Sequence, residues 1–265
     1  MKTLRVMTLN IGNPSLQRVR KQIDWIEHRD EDIFVLTETK VSEGCSFLEE
    51  YFGEQGQTLF DYGKEAQFNK TCNANNASST GDLGVMLLSR FPILRTTTCF
   101  SKKDPFFSRL LDVTIDFYGR EVGIMGLYVP SRNASEEKIS RKKNFVIQYL
   151  LHLKELSAAK HPPYIICGDL NILERSHIPH YNNFLKWEYD FYDRFKHFGY
   201  ADAFRILHPT ANEYSWVGRT NDGYRYDHCF ISNELVPHLI DCSYVHETRQ
   251  IQITDHSAMI LALEL

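Results

Sequence analysis

"LLDVTIDFYGREVGIMGLYV", residues 110 to 129, reads as two runs of β-branched and apolar residues on either side of Tyr118, Gly119 and Arg120. A connection that short joins neighbouring antiparallel strands, so the chain holds at least one β-hairpin. Similar apolar runs recur outward from it, at residues 4–10 ("LRVMTLN"), 32–38 ("DIFVLTE"), 84–89 ("GVMLLS"), 164–171 ("YIICGDLN"), 226–232 ("YDHCFIS") and 256–265 ("HSAMILALEL"). Between some of them the period lengthens to that of a helix. Leu16, Val19, Ile23 and Ile26 share one stripe behind a capping Ser15, and Ile139, Val146, Tyr149, Leu153 and Leu156 share another behind Ser135. A third helix is expected through Phe184, Trp187, Phe191 and Phe195, stopped by Gly199. Hairpins mixed with helical crossovers favour an α/β fold with a mixed sheet, or two sheets packed face to face, and helices outside.

The chain has 265 residues, 43% of them hydrophobic and 13% aromatic, enough for one large core, and no linker or internal repeat divides it. A single domain over residues 1–265 is expected. The polar stretch 69–82 ("NKTCNANNASSTGD") reads as a surface loop. No window has the length and apolarity of a membrane span and the N-terminus lacks a secretion signal, so a cytoplasmic protein with no stable membrane insertion is expected. Its six cysteines, at 45, 72, 99, 167, 229 and 242, form no CxxC pair and read as reduced structural thiols. His177 and His180 make a weak HxxH pattern, better read as loop. Net charge is −4, which gives no global pull towards nucleic acid, but basic residues cluster at 18–21, at 102–103 and at 138–143. The first and third of these clusters could be solvated helix faces or phosphate contacts.

Polar residues crowd the strand ends. The first strand ends at Asn10, the second at Glu38, the fifth at Tyr128 and the sixth at Asp169 and Asn171, while Asp227 and the pair Asp255 and His256 begin the last two. Each alone has an ordinary explanation as a turn, a cap or a solvated end. If the last two strands run antiparallel to the others, all eight converge on one rim, the place where α/β folds bind ligands. Four carboxylates in one concavity repel each other unless a cation sits among them. Oxygen donors without cysteine suit a hard ion, Mg²⁺ or Mn²⁺.

These motifs, "TLNIG", "LTETK", "LYVP", "GDLNI", "YSWVGRTNDGYRYDHCFIS" and "TDHSA", stand in the order found in the endonuclease/exonuclease/phosphatase superfamily, and the chain most resembles its exonuclease III-type abasic-site endonucleases. Three features depart from that type: "YVPSRN" after the tyrosine, a "GVMLLSRFPI" closer to the lipid and tyrosyl-DNA phosphodiesterase branches, and Thr254 in place of a serine. The resemblance implies a four-layer α/β sandwich, two packed mixed β-sheets flanked by helices, and a divalent-metal-dependent phosphodiesterase. By motif, Glu38 would be the main metal ligand with Asn10 and Asp255. Asp169 would activate the attacking water, Asn171 and Tyr128 would hold the scissile phosphate, and His256, fixed by Asp227, would donate to it.

The first substrate expected is nucleic acid, DNA above all, with no obligate protein partner. Trp216 and Tyr224 would stack on a base or fill the gap left by a missing one, and Arg219 and Arg225 would touch backbone phosphates. The alternatives are a phosphoinositide or sphingomyelin-type lipid phosphohydrolase and a tyrosyl-DNA phosphodiesterase. For the lipid reading, Phe100, Phe106 and Phe107 beside Lys102, Lys103 and Arg109 could dip into an anionic membrane surface.

Overall fold

Strands β1 (Thr3–Asn10) and β2 (Ile33–Thr39) run parallel, joined by helix α1 (Leu16–Glu27), in a computed structural model of the chain. It describes residues 1–53 and 82–265, together with the backbone of three short strands between them, β3 (Thr58–Asp61), β4 (Glu65–Gln67) and β5 (Asn69–Cys72). Ser15 caps α1 by accepting from the Arg18 amide, and the buried stripe of Val19, Ile23 and Ile26 lays the helix on its sheet. Strands β6 (Gly84–Ser89), β15 (Leu239–Val245) and β16 (Ala258–Glu264) complete this first sheet in the order β15-β16-β1-β2-β6-β5. Every pair in it except β1–β2 is antiparallel.

The second sheet repeats that plan. Strands β8 (Leu110–Phe117) and β9 (Arg120–Tyr128) form the expected hairpin, and helix α3 (Glu136–Ala158) carries the chain to β10 (Tyr164–Asp169), parallel to β9. With β7 (Ile93–Thr97), β11 (Tyr200–Asp202) and β14 (Asp227–Ser232), the order is β11-β14-β10-β9-β8-β7. The turn strands β12 (Trp216–Val217) and β13 (Gly223–Tyr224) pair apart from both sheets.

Alternation along each strand builds the layers. Ile33 and Val35 of β2, Ile165 and Cys167 of β10 and Cys229 and Ile231 of β14 all enter the core between the sheets. Phe34 and Leu36 turn outward onto α1 and helix α2 (Glu43–Gly53). Ile166 and Phe230 turn outward onto α3 and helix α4 (Lys186–His197). The result is helices, sheet, sheet, helices, the four-layer sandwich. Fully burying each such Val, Leu, Ile or Phe contributes about 1.5–3 kcal/mol. Gly199, at φ +88°, follows the end of α4 as expected. Helices α5 (Ala203–Leu207) and α6 (Glu247–Gln250) are single turns beside the site loops.

Some expectations are corrected. Asn69–Cys72, read as the start of a loop, is an edge strand paired with β6, while residues 73–81 of that stretch lie outside the described residues. Phe100, Phe106 and Phe107 are buried, with Phe106 edge-on to Phe145 of α3 at 5.3 Å, so they are core and cannot enter a membrane. The loop reading of His177 and His180 agrees with the structure, where His177 is buried with its two ring nitrogens turned to the Pro179 carbonyl and the Arg225 amide. Cys45, Cys99, Cys167, Cys229 and Cys242 form no disulfide. No described helix is long and apolar enough to cross a membrane.

Candidate active site

β14 runs antiparallel to β10, with Asp227 opposite Asp169, and β16 runs antiparallel to β1. The beginnings of β14 and β16 therefore lie on the rim where β1, β2, β9 and β10 end. A cleft of about 290 Å³ opens there, and Glu38, Asp169, Asn171, Trp216, Asp255 and His256 line it.

Asp169 forms its floor. It is 1% exposed, accepts 2.9 Å hydrogen bonds from Asn10 Nδ2 and from the Asn171 amide, and so forms both an Asx turn and a link between the sheets. The preceding Gly168 has φ +145°, and a Cβ there would lie 2.0 Å from the Leu127 carbonyl oxygen, so only glycine lets β10 run this close to β9. Burial, then the charge of Asp227, push the Asp169 carboxyl up to about 8; Glu38 adds to this, against the opposing pull of His256 and Asn10.

His256 is 6% exposed and donates from Nδ1 to Asp227 Oδ2 at 2.7 Å. Burial disfavours the imidazolium, but the Asp227 charge and hydrogen bond outweigh it and raise the ring to about 10. Asp227 is itself pinned through its amide to Ser215 Oγ at 3.0 Å.

Glu38 reaches the cleft by a backbone irregularity. It has φ +56° at a register shift between Thr37 and Thr39 in the β2–β6 pair, a bulge that re-aims its side chain. Its Oε1 accepts from the Tyr128 hydroxyl at 2.9 Å. Burial, with Glu38 and Asp169 nearby, raises the Tyr128 hydroxyl well above its ordinary value and keeps it a donor. Behind the ring lies the Arg109 guanidinium, 4.6 Å from its centroid and anchored to Asp82 at 2.7 Å. Asp255 is exposed and accepts at Oδ2 from Trp216 Nε1 at 2.9 Å.

The donors fit a divalent ion with few protein ligands. Glu38 and Asp255 each have one carboxylate oxygen bonded to a neutral donor and a second oxygen available. Among the described residues no three His, Cys, Asp or Glu side chains form a closed metal cage. Mg²⁺ typically uses one or two carboxylates and keeps several waters. Asn10 fits less directly: it is fully buried, with Oδ1 already accepting from the Gly12 amide at 2.9 Å.

Residues 7–256 match the model of the Endonuclease/Exonuclease/phosphatase family. The chain belongs to that family. It is 23% identical to an exodeoxyribonuclease of Bacillus subtilis, covering 99% of this chain and 100% of that relative. It is also 23% identical to the DNA repair nuclease APEX1 of Danio rerio, covering 90% and 76% respectively. The fold matches that of an AP endonuclease from Archaeoglobus fulgidus, with TM-score 0.77, 20% identity and coverage of 99% and 100%. It matches equally a Neisseria 3′ phosphatase solved with a product DNA hairpin, with TM-score 0.77, 19% identity and the same coverage.

Around this cleft the expected substrate residues divide. Trp216 lines the cleft, and Arg219 is exposed on the turn between β12 and β13. Tyr224 does not itself line the cleft: its ring is near-parallel to Tyr181 at 4.2 Å and to Tyr226 at 5.0 Å, and of this stacked set Tyr226 lines the cleft. Arg225 is a correction. It is 0% exposed and donates to Glu174 at 3.0 Å and Asp202 at 2.7 Å, so no phosphate can reach it. Sequence reading missed Arg132 and Glu188, which also line the cleft, and left Lys142 between a solvated helix face and a phosphate contact. Lys142 lines the cleft too and shares the buried stripe of Phe145, Val146 and Tyr149, a spacing visible in the sequence.

Proposed function

We propose that the chain is a divalent-metal-dependent phosphodiester hydrolase acting on DNA, of exonuclease III or abasic-site endonuclease type. The observation that carries this reading is the convergence of a buried, proton-seeking Asp169 and an Asp227-bound His256 imidazolium on one cleft rimmed by Glu38 and Asp255.

Asp169 orients a water for in-line attack and takes its proton, a role suited to a carboxyl raised to about 8. Asn171, whose Nδ2 uses one hydrogen on the Val129 carbonyl, offers the other to the scissile phosphate, and Tyr128 would turn its single hydroxyl hydrogen from Glu38 to the phosphate when Glu38 takes the metal. His256, raised to about 10, donates to a phosphate oxygen as charge accumulates there. Glu38 and Asp255, with Asn10 alongside, would hold Mg²⁺ or Mn²⁺, and such an ion supplies charge neutralisation at the phosphate. DNA is favoured as substrate by the names of the full-length relative and of the DNA-bound structural neighbour. Trp216 and Tyr226 give the cleft an aromatic wall for a sugar or base.

The test is incubation with Mg²⁺ and a duplex carrying one abasic site, beside an intact duplex and a phosphoinositide. Incision of DNA that stops with EDTA is the expected result. Hydrolysis of the phosphoinositide with both duplexes untouched would overturn the reading.

A further inference from the structure

The cleft wall formed by α3 and α4 is basic and buried, unlike the acidic floor. Lys142 is 1% exposed and donates 2.7 Å to Glu188 Oε1 and 2.6 Å to the Asn171 carbonyl. Arg132 donates from Nε to the other oxygen of Glu188 at 3.0 Å and from Nη2 to the Asn183 carbonyl at 2.7 Å. Glu188, 0% exposed, also accepts from the Leu185 amide at 2.9 Å, so its oxygens are fully engaged. Two cations thus share one carboxylate, with the charge of Asp169 on the floor also acting on Lys142, and give this wall a net positive charge opposite the acids of the floor. Consistent with this, burial holds the Lys142 ammonium below its ordinary value although Glu188 opposes that. The Lys142 ammonium has three hydrogens and two bonds, which leaves one, and the Arg132 guanidinium, whose Nη2 also meets Glu188 and whose Nη1 meets the Asn133 carbonyl at 3.4 Å, keeps one Nη1 hydrogen of its five. Ser131, Asn183 and Phe184 complete this wall, while Trp216, Asp255 and His256 line the other side.

We propose that Arg132 and Lys142, locked on Glu188, bind a second phosphate of the substrate strand, next to the scissile one, and so set how much chain the enzyme requires beside the cut. This rests on the phosphodiesterase reading above. Because Lys142 also holds the carbonyl of Asn171, filling this subsite is coupled to the residue that grips the scissile phosphate. The phosphate could be an internal link or a terminal monoester, and the same two residues would serve either.

The experiment uses the full chain, Mg²⁺ and abasic-site duplexes with a neutral methylphosphonate one link to either side of the cut, plus duplexes whose chain ends at that position with a phosphate or a hydroxyl. Neutralising the correct link should lower wild-type kcat/KM by roughly 10-fold, the order of losing one charge-assisted hydrogen bond. Arg132→Met should lose about as much on the ordinary duplex and then be indifferent to the neutral link. Arg132→Lys, which keeps the charge, should recover part of the rate and retain sensitivity to the neutral link; behaviour identical to Arg132→Met would count against a charge-based subsite. A loss confined to the chain-end pair would assign the subsite to a terminal phosphate. Wild-type cleavage unaffected by every neutral link and chain end, or Arg132→Met as sensitive as wild type, would overturn the inference alone. Failure to cut any DNA would overturn the functional reading and the inference together.

Discussion

Glu38 and Asp255, delivered by the first sheet, are half-exposed and exposed, and each is bonded at one oxygen to a neutral donor, Tyr128 or Trp216. Asp169 and Asp227, delivered by the second sheet, are 1% and 0% exposed and tied to Asn10, Asn171, His256 and the Ser215 hydroxyl. The two sheets have the same plan, a central parallel pair flanked by antiparallel strands, yet they present acids in opposite states. Open carboxylates with spare oxygens can accept a hydrated ion without prior rearrangement. Buried Asp169, in fixed hydrogen bonds, holds a proton at raised affinity, and Asp227 is held in a fixed hydrogen bond to the His256 ring. The difference teaches that one half of the site is suited to metal exchange and the other to proton transfer.

That contrast can be broken in four ways. The largest effect is expected beneath the second half, where Arg225 lies between Glu174 and Asp202 behind β14. Arg225→Met takes the guanidinium from buried Asp202 and leaves Glu174 to Arg205 alone, and should cost on the order of 3–5 kcal/mol, about 6–15 °C in Tm. Burial raises Asp202 and Glu174, but Arg225, with His228 and Arg205 respectively, more than reverses this and leaves both carboxyls lowered. Lowered carboxyls contribute stability that is present above their unfolded pKa of about 4 and lost as pH falls through the folded value. Wild-type Tm should therefore drop below about pH 4, and the drop should be shallower in the variant; parallel Tm–pH curves would contradict this. Next, Asp169→Asn or His256→Ala should lower kcat by at least ~10²-fold with the Mg²⁺ requirement little changed. Glu38→Ala should do the reverse, raising the Mg²⁺ concentration for half-maximal rate by roughly 10-fold or more, read by metal titration. Equal effects of both changes on metal and on turnover would erase the distinction between the halves. Smallest is Arg219→Ala, expected to weaken DNA binding a fewfold and reduce the salt slope by about one, a change seen in binding titrations at several ionic strengths.

The strands and the rim were legible because their signals are local. Apolar runs bounded by polar ends show in a few residues, and Ser15, Ser135 and Gly199 mark helix ends by their own chemistry. Strand β7 escaped because "ILRTT" is an edge strand exposed along most of its length. The basic residues were harder, since charge suggests solvent while burial is decided by a partner far away in sequence. Lys142 is buried by Glu188, and Arg225 by Glu174 and Asp202. "YRY" did hold a clue: alternation puts Tyr224 and Tyr226 on one face and Arg225 on the other, away from the substrate side. The bulge that turns Glu38 has no such sign, because it depends on pairing with β6.

Gly168 shows how tightly the two catalytic strands are spaced. Tyr128 ends one of them and Asp169 the other, and the bare α-carbon between lets them lie side by side. A single methyl group inserted there would wedge the strands apart and shift the Tyr128 phenol and the Asp169 carboxyl at the same moment, so the smallest lesion the gene can suffer at this spot would displace two groups of the candidate site while touching neither residue.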